Sequence, residues 1–81
     1  MITIDVLVPI TGKVYDFTLD ENISVATATE EIIELIVQKE NYSTDNINEM
    51  FLFSKKENVA LNTKFSLKEN GVETGNRLFL V

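Results

Sequence analysis

The chain has 81 residues, enough for one small domain, and its 44% hydrophobic and 25% charged residues give the balance of a globular chain rather than a disordered one. A net charge of −6, from 13 acidic and 7 basic residues, repels phosphate backbones and anionic lipid heads, so neither nucleic acid binding nor direct membrane insertion is expected. Cysteine and histidine are absent, which excludes disulfides, iron–sulfur centres and Cys/His zinc sites, and with them nucleophilic triads and most proton relays.

The first segment, "ITIDVLV", alternates. Ile2, Ile4, Val6 and Val8 share one face, and Thr3, Asp5 and Leu7 the other, as in a half-buried strand. Pro9, Thr11 and Gly12 supply turn chemistry. In "KVYDFTL" the alternation resumes, with Tyr15, Phe17 and Leu19 on one side and Val14, Asp16 and Thr18 on the other, so the two strands form a hairpin. Ser24 is suited to cap a helix, with Asp20 and Glu21 nearby favouring its positive end. From Val25 to about Lys39 the period is helical: Val25, Ala28, Ile32, Leu35 and Ile36 fall on one arc, flanked by Ile33 and Val37, opposite Thr27, Glu31, Glu34 and Gln38. Asn41 can take the left-handed stop.

"NYSTDNIN" reads as a polar connection with room for a short helical turn. "EMFLFS" reads as a third strand, apolar on both faces, with Phe51 and Phe53 one way and Met50 and Leu52 the other. "KKEN" turns the chain, its Lys55-Lys56 pair reading as solvated residues rather than a patch, and "VALN" is a short fourth strand. In "TKFSLKENGVETGNRLFLV", Phe65 and Leu67 are apolar anchors, Asn70-Gly71 and Gly75-Asn76 mark turns with positive φ, and Val72 plugs the core. "RLFLV" is the last strand, with Leu78 and Leu80 on one face and Phe79 and Val81 on the other. The expected class is α+β: strand, strand, helix, then three strands, with the helix packed on one face of a mixed sheet.

The stretches "ITGKVYDFTL", "ISVATATEEI" and "FSLKENGVETGNRLFLV" together resemble the ubiquitin-like β-grasp over essentially the whole chain, residues 1–81. That resemblance implies a single ubiquitin-like domain with a short helical turn before the last strand. Within the superfamily, the length, the strand starting at the first residue and the ending "GNRLFLV" look like the YukD/EsaB proteins, small cytosolic accessory components of the bacterial type VII secretion system. The resemblance implies a cytoplasmic protein that is not conjugated to targets, since the ending lacks the diglycine that sulfur carriers and protein modifiers require. No signal peptide is visible in "MITIDVLVPITGK", and no apolar run is long enough to span a bilayer.

A catalytic role is not expected. Glu30, Glu31 and Glu34 read as a solvated helix face, Asp45, Asn46 and Asn48 lack the spacing and closing glutamate of a calcium loop, and "ENGVETGNR" lacks the partners of a phosphate loop. No cofactor and no metal are expected. Ubiquitin-like proteins use one sheet face for docking, and by position their hydrophobic patch becomes Ile10, Leu52, Phe79 and Val81 here. The expectation is therefore a protein-interaction module whose partner is a cytosolic part of the secretion machinery. An equally weighted reading has Leu52 and Phe79 packing only on each other, and the same patch could make a homodimer instead of leaving a monomer. Two other functions compete: a modifier or sulfur carrier whose tail is missing or processed, and an acidic inhibitor mimicking nucleic acid.

Overall fold

A computed structural model describes residues 1–41 and 50–81. The elements are β1 (Ile2–Val8), β2 (Lys13–Leu19), α1 (Val25–Glu40), β3 (Leu52–Ser54), β4 (Val59–Ala60) and β5 (Arg77–Leu80). They build one five-stranded sheet in the order β2-β1-β5-β3-β4, in which β1 and β5 run parallel at the centre and the other neighbours are antiparallel. The expected β-grasp arrangement, with the last strand beside the first, is present.

Alternation decides the two faces of the sheet. Ile4, Val6 and Val8 of β1 and Tyr15, Phe17 and Leu19 of β2 are all buried, paired as Ile4↔Phe17 and Val6↔Tyr15. The hairpin closes through Gly12, whose φ of 71° suits a residue without Cβ and whose N–H donates to the Val8 carbonyl at 2.9 Å. Helix α1 starts at Ser24, an extended residue whose side chain accepts from the Thr27 N–H at 3.2 Å, and stops at Asn41 with φ 57° and ψ 39°, whose N–H bonds back to the Val37 carbonyl. It buries Val25, Ala28, Ile32 and Ile36. Leu35 departs from the predicted arc: it is half exposed, because it sits on the arc's flank and overhangs the margin of β2 beside Tyr15 and Phe17.

The C-terminal end of α1 is tied to β2 by Glu40. Its carboxylate accepts from Lys13 Nζ at 2.7 Å and from the Tyr15 hydroxyl at 3.0 Å. These two bonds, Lys13 first, hold the Glu40 carboxyl below the usual carboxylate range.

Strand β3 is shorter than "EMFLFS" suggests; Phe51 still exchanges two backbone hydrogen bonds with Val81, at 2.7 and 2.9 Å. The helical turn considered in "NYSTDNIN", and Asp45, Asn46 and Asn48, lie outside the described residues. The short turn expected before the last strand is present as one hydrogen-bonded turn over Ser66–Asn70. Ser66 Oγ accepts from the Glu69 N–H at 3.0 Å, while the Glu69 carboxylate accepts from the Ser66 N–H at 2.9 Å, a reciprocal capping box. Gly71, at φ 77°, ends the turn, and the Val72 N–H bonds to the Leu67 carbonyl at 3.0 Å. This geometry drives Leu67 and Val72 into the core. Phe65, expected as a second anchor, is half exposed; its carbonyl rather than its ring makes the attachment, accepting from the Val25 N–H at 2.8 Å.

Candidate functional site

The sheet face opposite α1 is banded. The register Val14↔Leu7, Leu7↔Phe79, Phe79↔Phe53 and Phe53↔Ala60 sets five apolar residues in a single row across all five strands. None of the five is fully buried, and Val14 is 45% exposed. Toward one end of the strands the row continues into Val81, on the same side as Phe79 by alternation, with Phe51 paired to it.

The neighbouring row on the other side is charged. Asp16 pairs with Asp5, and Asp5 with Arg77, whose guanidinium donates to the Asp5 carboxylate at 3.3 Å. Lys55, in the turn that follows β3, and Arg77 line one surface depression. Two carboxyls on β2 and β1 are thus followed by one cation on β5, with a second in the turn after β3. The carboxyls titrate unequally. A hydrogen bond from Asp16, reinforced by Arg77, holds Asp5 below the usual range; that same bond and the Asp5 charge push Asp16 above it. Beyond this row, Thr3 and Thr18 share a hydroxyl–hydroxyl hydrogen bond of 3.1 Å.

Lys55 Nζ stands 5.6 Å from the centroid of the Phe79 ring, within cation–π range. Around this pair runs a shallow groove lined by Leu7, Lys55, Lys56, Arg77 and Phe79. Among the described residues, no group of three or more His, Cys, Asp or Glu side chains could hold a metal ion, and no helix is long and apolar enough to cross a membrane.

No protein-family model matches the sequence, and no curated protein matches it. Many solved structures share its architecture. One is the EccD5 ubiquitin-like domain from Mycobacterium xenopi, with a TM-score of 0.79 and 14% identity over 99% of this chain and 91% of that one. The fold is the ubiquitin-like β-grasp.

The ubiquitin-like scaffold separates the four residues assigned to the patch. Phe79 and Val81 lie on the outer face, and Ile10, 78% exposed, stands in the β1–β2 hairpin at the Val81 end of the sheet. Leu52 does not join them. It is 1% exposed and pairs with Leu80 on the helix side, so it is a core residue rather than a contact residue. The outer position on β3 belongs to Phe53. Leu7 and Val14 complete the row and were legible as apolar residues on otherwise polar strand faces. Phe53 carried no such signal, because β3 is apolar on both sides.

Proposed function

We propose that this ubiquitin-like chain is a non-catalytic protein-docking module that binds a protein partner noncovalently through its outer sheet face. The observation that carries the reading is the unbroken apolar row Val14–Leu7–Phe79–Phe53–Ala60. On a small acidic protein such a row is a costly surface to leave in water, and exposed contiguous apolar surface marks interfaces. The aromatic pair Phe53–Phe79 at its centre supplies the rigid, large side chains that dominate docking energetics. The resemblance of "GNRLFLV" and of the strand pattern to YukD/EsaB proteins supports a cytoplasmic accessory role in a type VII secretion system, with a cytosolic part of that machinery as partner.

The test is affinity capture from native cells followed by mass spectrometry, comparing the wild type with Phe53→Asp/Phe79→Asp. The expected result is loss of the partner with an unchanged folded circular dichroism spectrum. An undiminished partner would remove the outer face from consideration. Captured proteins unrelated to secretion would leave docking standing and remove the secretion assignment. An intact-mass shift showing an adenylate or a conjugate would instead favour a covalent modifier.

A further inference from the structure

We infer that the outer-face groove takes an acidic segment of the partner, with an apolar side chain lying on Leu7 and Phe79 and carboxylates meeting Lys55, Lys56 and Arg77. The inference rests on the docking reading above and specifies what that site selects.

Charge distribution supports it. The chain has only seven basic residues against thirteen acidic ones, yet three of the seven line this one groove. They come from two distant places in sequence, and the fold brings them to one groove. Arg77 is held by Asp5 at 3.3 Å but keeps a side chain 52% exposed, leaving donors free for a second carboxylate. Among the described residues, neither Lys55 nor Lys56 is in an ion pair, although carboxylates outnumber cations nearly two to one. Lys55 lies over the Phe79 ring, which places a positive charge directly at the edge of the apolar row.

The acidic remainder of the surface adds selectivity. Glu30, Glu31 and Glu34 on α1 repel an acidic segment from the helix side, so the groove attracts where that helix face repels. A basic or neutral segment would leave the three cations desolvated without partners, which is unfavourable. A phosphate backbone meets the same cations but lacks an apolar group for Leu7 and Phe79, and it meets the full net charge of −6.

Panning a random short-peptide display library on the purified chain tests this directly. Enriched peptides should be acidic and carry an aromatic or branched aliphatic residue. A synthetic peptide of the enriched sequence should shift the amide signals of Leu7, Lys55, Lys56, Arg77 and Phe79 in the labelled protein. Lys55→Glu/Lys56→Glu changes only exposed turn residues, so its circular dichroism should match the wild type. It should weaken that peptide by about tenfold or more, and raising salt should weaken the wild-type interaction in the same direction. Enrichment of neutral or basic peptides, no enrichment at all, or unchanged affinity in the lysine variant overturns the inference. So does concentration-dependent self-association perturbing the same amides, since a second copy would then occupy the groove. If Phe53→Asp/Phe79→Asp loses the cellular partner while Lys55→Glu/Lys56→Glu retains it, docking stands and the acidic preference falls. If both variants retain it, both fall.

Discussion

Strands β3 and β5 carry two faces made of nearly the same kind of residue. Inward point Leu52, Leu78 and Leu80, each no more than 1% exposed; outward point Phe53, Phe79 and Val81. Apolarity therefore does not tell which side is the core. The inner residues are covered because α1 lays Ala28, Ile32 and Ile36 over them, whereas no described element covers the outer ones. Identical chemistry serves stability on one side and leaves recognition surface on the other.

The contrast is broken most severely at Leu52. Leu52→Asp should fail to fold, and Leu52→Ala should cost about 2–5 kcal/mol in urea denaturation, while Phe53→Asp one residue away should retain the cooperative transition. Equal losses at the two positions would mean that the outer face is also packed. The inner face can be probed next through the turn that drives Leu67 and Val72 into it. Gly71→Ala meets no atom within 4 Å of the added Cβ. Its penalty should therefore be that of a left-handed residue alone, about 1–2 kcal/mol. Ser66→Ala, which removes one half of the capping box, should cost about 1 kcal/mol in the same assay.

The smallest effects sharpen the contrast by sign. Asp16, with its pKa raised in the folded state, contributes stability below its unfolded pKa that is lost as pH rises through the raised value. Asp16→Asn should thus be more stable than the wild type at neutral pH, the gap closing once pH falls below both values. Glu40, with its pKa lowered, contributes stability above its unfolded pKa that is lost as pH falls through the lowered value. Glu40→Gln should thus be less stable at neutral pH and equal to the wild type in acid. Thermal melts across the pH range check both, and matching signs would refute the opposite directions assigned to Asp16 and Glu40.

Much of the scaffold was readable from pattern. Period two fixed the buried faces of β1 and β2, and Ser24 and Asn41 bounded α1, because local chemistry dominates at those positions. The site was harder. Phe79 and Val81 could be assigned from alternation against Leu78 and Leu80, but Leu52 and Phe53 could not be told apart, since a strand apolar on both sides gives no phase. The charged row was invisible for another reason. Arg77 and Lys55 come to one groove only through the pairing of β3 with β5, far apart in sequence, so "KKEN" read alone is merely a turn.

The central pair of the sheet is β1 with β5, the first strand with the last. During synthesis the β1–β2 hairpin therefore waits, with one edge of β1 lacking its hydrogen-bonding neighbour, until Arg77–Leu80 has been made. At about 5–20 residues per second that interval is several seconds. For that time the backbone N–H and C=O groups along the free edge of β1 are open to strands of other chains. A nascent chain of this design thus passes through a period in which one edge of its hairpin is adhesive, and only the arrival of the last strand closes it.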